Sequence, residues 1–317
     1  MTHHPPASVA CPACGTATLA WGTAAAAEAG VPDVALTRCP ACGTAVTLDA
    51  LPAGTDLHES GDYAAATPRG ARLAAPLLWL FDRQRLRLAR WAVRPPARLV
   101  DAGAGRGRFL AHARRAGYTG AIGVEPTARG TEQALARYGL TLERATIHDA
   151  GIAAAGADVV SLWHVLEHVP DPGATLDVLH GWLREGGALI VGVPNLDSWQ
   201  ARMGGRRWYH LDLPRHRTHF TARGLARLLG DHGFDVVRTT HLLAEHNPYG
   251  MWQSALSRAT SRPSYLFHLL KRNAPLDARD LTVTVVGLAL LPVAVVAELV
   301  AGLCRRGGTV AVVARRR

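Results

Sequence analysis

A chain of 317 residues, 48% hydrophobic and 19% charged, has the material for a sizeable core and is not a disordered polymer. Its formal charge of +10 rests almost wholly on arginine, Lys271 being the sole lysine. A basic chain favours anionic partners: phosphorylated or nucleotide-linked molecules, nucleic acid, or an anionic membrane. The opening MTHHPPASVACPACG has no basic stretch leading into an apolar one, which argues against a secretory signal and for the cytosol, where thiols stay reduced.

In chain order the cysteines come first. Cys11-Pro-Ala-Cys14 and Cys39-Pro-Ala-Cys42 form two CxxC knuckles, each followed by glycine. Two thiolates two residues apart can hold one ion from a single tight turn, and two such turns supply the sulfurs of a tetrahedral zinc site. Disulfides or chance are the alternatives. The reducing compartment argues against the first, and the duplicated CPACGTA against the second. Residues 1–50 therefore read as a zinc ribbon whose ion is structural, while Cys304 is left over and reads as packing. Residues 51–97 read as a helical linker or lid, with HESGDYAAATPRG leading into a helix that Pro95-Pro96 ends. The arginines at 83, 85, 87 and 90 read as its solvated face.

From Arg98 short apolar runs alternate with amphipathic ones. Strands are expected over 98–102, 120–124, 142–147, 157–163, 187–193 and 234–241, and helices over 106–116, 128–138, 172–184 and 221–232. Such alternation predicts a doubly wound α/β sheet spanning 98–242, interrupted by 243–307 and completed by a seventh strand over 309–316.

The first strand and its turn read LVDAGAGRGRF, with Asp101, Gly103, Gly105 and Gly107. Glycines there let a ligand approach the backbone, and the next helix presents its positive end. Glu125 ends the second strand, where a carboxylate can accept both hydroxyls of a ribose, and Asp149 follows the third, within reach of an adenine amine. The three acids thus fall at the carboxyl ends of successive strands, where open α/β sheets bind ligands.

LVDAGAGRGRFL, GVEP, WHVLEHVPDP and LREGGALIVGVPN together resemble the class I S-adenosylmethionine-dependent methyltransferases, in particular the small-molecule branch with ubiquinone-type O-methyltransferases. The resemblance covers about residues 58–242 and the final strand, which it implies lies antiparallel beside the sixth. It implies a Rossmann-like fold, with Asp101, Gly103, Gly105 and Gly107 around the methionine part of the cofactor and Glu125 on its ribose. It places Asp149 near the adenine, Trp163 and His164 beside the bound cofactor, and Tyr63 on a segment folded over it.

His164-Val-Leu-Glu167-His168 also matches the HxxEH pattern of a class of zinc peptidases, but Pro170 and Pro172 make it a turn rather than the long helix that chemistry needs. Glu167 reads as a hydrogen-bonded cap on the cofactor loop. Further on, Trp208 to Phe220 carries His210, Asp212, His216 and His219. Methyl transfer to a hydroxyl needs an aligned acceptor and a proton acceptor, and histidine suits the second task. His216 is the first candidate and His219 the second, because PRHxxHF recurs at this place in similar enzymes. The alternative is that these histidines cap the next helix or only bind substrate.

The expected activity is transfer of a methyl group to oxygen of a small-molecule, glycan or lipid-linked acceptor. An RNA methyltransferase docking through the ribbon and an inactive membrane scaffold are the alternatives. Trp21 and Arg38 are the ribbon's only aromatic and basic residues, so nucleic acid is not the expected partner. The complete Asp101–Gly107 turn argues against a scaffold. Finally, Leu281 to Leu303 is apolar over a length sufficient to cross a bilayer. Glu298 and Pro292 interrupt it, arginines flank both ends, and a crossing would separate the last strand from its sheet. The expectation is an apolar helix, or a hairpin broken near Pro292, lying in one leaflet of the cytoplasmic membrane face with arginines toward anionic headgroups. Burial in the core or a dimer interface is the alternative.

Overall fold

The computed structural model describes residues 8–26, 32–48, 75–245, 247–270 and 274–317. Tyr63 lies outside them.

Three short strands come first: β1 (Leu19–Ala24), β2 (Val34–Arg38) and β3 (Ala45–Thr47), paired antiparallel in that order. Helix α1 (Ala75–Ala92) follows and leads into the central sheet. Its strands are β4 (Leu99–Ala102), β5 (Ile122–Val124), β6 (Ala157–Trp163), β7 (Leu183–Pro194), β9 (Phe234–Thr240) and β10 (Thr309–Arg316). They lie in the order β5-β4-β6-β7-β10-β9. The first four are mutually parallel, and β10 is antiparallel to both β7 and β9.

The sheet has six strands rather than seven. Residues 142–147, expected as a strand, make a single bridge, Glu143 opposite Val124. Glu143 donates to Gly123 O at 2.8 Å and Glu125 N to Glu143 O at 2.9 Å, and then the chain turns away at Thr146–Asp149. Its neighbour β5 is only three residues long, so there is no ladder to extend, and only Leu142 and Ile147 of the segment are buried.

Helices cover both faces. On one, α1 and α2 (Arg108–Arg115) pack Leu88, Phe109, Leu110 and Ala113 against Leu99, Val159 and Ile190, with α3 (Ala128–Tyr138) alongside. On the other, α4 (Pro172–Trp182) and α6 (Ala222–Asp231) bury Leu176, Leu179, Leu225 and Leu228 against Val160, Val191 and Val312. Cys11, Cys39 and Cys42 join that second core. The reason is a two-residue strand, β8 (Thr218–His219), which pairs with β3 and attaches the N-terminal sheet to the loop before α6.

Between α4 and α6 lies α5 (Trp199–Gly204); after β9 come α7 (Asn247–Leu256) and α8 (Tyr265–Leu270). Then α9 (Ala278–Gly287) and α10 (Leu291–Leu303), joined by a 3-10 turn, form one helix of 26 residues, not a hairpin. Pro292, the second residue of α10, comes just after the 3-10 turn, so the interruption of the α-type hydrogen bonds falls where its N–H is missing. Among the described residues this is the one helix long and apolar enough to cross a membrane, by length and composition. It lies along α7, which is held to the body through Tyr209 N to Ser254 Oγ at 3.1 Å and Arg207 Nε to Ser257 O at 2.5 Å. Cys304 follows it on the surface, exposed rather than packed as its apolar neighbours suggested.

Candidate active site

The turn after β4 is built by three glycines with positive φ: Gly103 at 75°, Gly105 at 53° and Gly107 at 72°. At Gly103 a Cβ would stand 2.3 Å from Val165 Cγ2, and at Gly107 2.9 Å from Ala134 Cβ, so these two glycines serve the packing of the turn itself. At Gly105 a Cβ would meet nothing within 4 Å. Open space therefore stands over the middle of the turn.

Glu125 closes one side of that space. Its Oε2 accepts from Gly105 N at 2.8 Å and its Oε1 from Thr127 N at 3.1 Å and Thr127 Oγ1 at 2.5 Å. Oε2 keeps acceptor capacity for a further hydroxyl, whereas Oε1 already accepts twice. Asp149 is exposed and takes Thr146 Oγ1 at 2.5 Å. Asp101 is wholly buried on the α1 face, and burial lifts its carboxyl to about 6 against the opposing pull of Arg85. Its Oδ2 has no hydrogen-bond partner.

Arg85 was not foreseen. Read as solvated, it is 8% exposed: its guanidinium donates to Asp101 and Ser161 and lies 3.8 Å from the Phe109 ring centroid. One buried arginine in a run of exposed ones leaves no local signal; only the helix register against Phe81, Leu88 and Ala89, all buried, would have pointed to it. Nearby Trp163 donates from Nε1 to Glu245 Oε2 at 2.7 Å.

His164, the first residue after β6, adopts φ 53°, a conformation costing about 1 kcal/mol for a residue with a Cβ. Its N donates to Gly192 O at 2.9 Å and its Nδ1 lies 3.1 Å from Glu167 Oε1. Burial would lower the His164 pKa, but the hydrogen bond and charge of Glu167 raise it overall. Glu167 is 1% exposed; burial opposes its ionisation, yet His164, His168 and His216 pull it down to about 2. Its carbonyl accepts from Arg217 N at 2.8 Å and Thr218 N at 3.2 Å, so the turn after β6 is stitched to the histidine loop.

In that loop His216 is buried and its Nδ1 lies 2.8 Å from His210 O. A carbonyl only accepts, so neutral His216 carries its proton on Nδ1 and its lone pair on Nε2, 3.9 Å from Asp212 Oδ2. His219 lies 3.0 Å from Thr47 Oγ1, whose proton goes to His216 O at 2.7 Å; His219 therefore donates from Nε2. Burial, then the charge of His216, pushes its pKa down to about 3. Neither histidine caps α6. Thr221 does, accepting from Gly224 N at 3.0 Å while donating to Cys42 O at 2.7 Å.

The four cysteines meet beside this loop. Cys11 and Cys42 sulfurs are 3.5 Å apart, Cys14 and Cys39 sulfurs 3.4 Å, and all four lie within 4.8 Å of one another. Four sulfurs at ~2.3 Å from one tetrahedral ion would be roughly 3.8 Å apart, so the donor set fits such an ion. One further group among the described residues offers three ligand atoms within 4.8 Å: Glu167, His168 and His216.

The glycine turn, the strand-end acid and the antiparallel last strand define a Rossmann-like class of nucleotide-cofactor enzymes. Within that class, a family model described as a methyltransferase domain matches residues 76–239, just over half of the 317-residue chain. The chain belongs to that family and is an S-adenosylmethionine-dependent methyltransferase. No curated protein matches it. Among solved structures, the complex of the Haloferax volcanii Trm112 methyltransferase activator with its methyltransferase matches at 16% identity and TM-score 0.51, covering 80% of this chain and 96% of that one. The [4+2]-cyclase SpnF matches at 15% and 0.50, covering 74% and 80%. Geranyl diphosphate C-methyltransferase from Streptomyces coelicolor A3(2) matches at 16% and 0.48, covering 80% and 85%. At such identities the first two likenesses are ones of fold.

Proposed function

We propose that this methyltransferase acts on an oxygen of a small-molecule, glycan or lipid-linked acceptor, in line with the methyl of a cofactor held between Asp101, the glycine turn and Glu125. The cofactor supplies an activated methyl on sulfonium; the chain's task is to hold, align and deprotonate. The observation that carries the cofactor assignment is Glu125, fixed at the end of β5 by Gly105 N–H and the Thr127 N–H and hydroxyl, with room over Gly105. Asp149 borders the adenine end in this reading, and Trp163 and His164 line the wall. Glu125→Ala should weaken cofactor binding by ~10–100-fold, about the worth of one charge-assisted hydrogen bond. Isothermal calorimetry decides it, and unchanged affinity would remove Glu125 from the site.

The acceptor's proton goes to the histidine loop, with His216 as first candidate and His219 as second. His216→Ala then lowers turnover and spares cofactor affinity; equal turnover would end its assignment as base. Zinc in the four-cysteine cluster is structural, because four thiolates leave no open position. Elemental analysis of protein purified without chelator should find about one zinc bound there.

The outer face of α9–α10 is read as resting on an anionic bilayer in-plane. Its buried stripe is polar or small (Asp280, Thr284, Gly287, Ala294, Glu298, Ala301), whereas Val286 is 70%, Val293 62% and Leu303 67% exposed. Polar groups inward and apolar groups outward is the arrangement a helix takes against lipid. Exposed Arg279 and Arg305 flank it, which selects anionic headgroups. Full-length protein should float with phosphatidylglycerol vesicles and less with neutral ones. A soluble dimer that ignores vesicles would assign the face to a second copy instead.

A further inference from the structure

We propose that Glu167, His168 and His216 form a second metal site, distinct from the cysteine cluster, that takes one divalent transition-metal ion. One ligand atom from each of the three lies within 4.8 Å of the other two. Two come from the turn after β6 and one from the loop before β8. The bonds from Arg217 N and Thr218 N to Glu167 O fasten those segments together without any ion.

The ring orientations are those of ligating histidines. His168 Nδ1 faces Arg215 O at 3.3 Å and His216 Nδ1 faces His210 O at 2.8 Å. Each carbonyl can only accept, so each neutral ring places its proton on Nδ1 and its lone pair on Nε2. Histidines that bind metals are oriented in this way, the far N–H tied to a carbonyl or carboxylate. The carboxylate supplies an independent sign. Glu167 Oε1 is engaged by His164 Nδ1, but Oε2 is buried and has no hydrogen-bond partner. A buried carboxylate oxygen without a partner is costly, and an ion beside it removes that cost.

Two imidazoles and one carboxylate suit zinc, cobalt, iron or manganese, and they leave coordination positions open. The four-sulfur cluster leaves none. An open position beside the cofactor wall suits an oxygen-bearing acceptor; that extension rests on the oxygen-acceptor reading, whereas the ion itself does not. An ion on His216 uses the lone pair that a proton acceptor needs, so in metal-loaded protein the proton-acceptor role falls to His219, the second candidate. The HxxEH match thus contributes its last two residues to a site whose third ligand lies 48 positions further on, while its first histidine orients the carboxylate.

The test is a cobalt(II) titration of full-length protein whose cysteine cluster has been filled with zinc and whose excess zinc has been removed. One equivalent of cobalt should bind with ligand-field absorption and without the intense thiolate charge-transfer bands that cobalt in the cysteine cluster would show. Glu167→Gln and His216→Ala should each weaken cobalt binding at least ~10-fold, while zinc content stays at one. His168→Gln serves in place of any variant whose thermal melt shows that it does not fold. No cobalt binding, cobalt with thiolate bands only, or affinity unchanged in the folded variants would each overturn the site. Because no readout involves methyl transfer, those outcomes leave the activity reading standing.

Discussion

Helices α6 and α10 carry opposite patterns. Helix α6 buries Leu225, Leu228 and Leu229 and turns Arg223 and Arg227 away from the core. Helix α10 buries Ala294, Glu298, Ala301 and Gly302 and exposes Val293, Val296, Leu299 and Leu303. Both are well-formed helices, so the difference lies in what surrounds them. The apolar face of α6 finds its partners in the sheet and in the cysteine knuckles. The outer apolar face of α10 has none among the described residues, because the side that meets α7 and the body is already filled by small and polar groups.

The sharpest way to break this comparison is to put a carboxylate on each helix. Leu228→Asp buries an unpaired charge and should cost on the order of 4 kcal/mol in chemical denaturation. Val296→Asp should change stability by less than ~0.5 kcal/mol yet abolish vesicle flotation. Equal destabilisation by the two would mean that the outer face of α10 is packed in the free protein.

Glu298 tests the inner face. Burial lifts its carboxyl to about 7, against Gly308 N–H and Gln200, which favour the ionised form. With a folded-state value above the unfolded one near 4.5, the folded state holds the extra proton between those pH values. Stability contributed by neutral Glu298 is therefore present below about 4.5 and is lost as pH rises through about 7. Relative to Glu298→Gln, the wild type should lose up to ~3 kcal/mol across that window. Parallel pH profiles of the two proteins would show that Glu298 is not buried as described.

A smaller loss than either buried carboxylate causes is expected at the cap of α6. Thr221→Ala removes both the helix cap and the bond to Cys42 O, for ~1–2 kcal/mol, whereas Thr221→Ser should recover most of it. Thermal melts of zinc-loaded protein read the difference, and an alanine variant as stable as wild type would detach the knuckle from the helix.

Much of the fold was legible because its signals are local. A glycine turn needs φ values that only glycine adopts freely, a CxxC knuckle closes within a few residues, and strand–helix periodicity repeats at short range. The segment 142–147 misled because threonine and isoleucine have strand propensity, whereas a ladder also needs a neighbour long enough to pair with. Arg85 misled because burial depends on which turn of α1 faces Asp101, a property of docking rather than of composition. In the histidine loop the residues were identified but not their partners: Thr47 lies 172 positions from His219, and Thr221 lies 179 from Cys42.

By itself, then, the sequence determined the class of fold, the cysteine knuckles, the acidic strand end at Glu125 and the apolar length of 281–303, since each follows from neighbours in the chain. Only the tertiary structure decided that the third strand fades to one bridge, that α10 turns its apolar side outward, and that Glu167, His168 and His216 converge. Those outcomes depend on distances between segments remote in sequence, which propensity and periodicity do not encode and which packing against a common core sets.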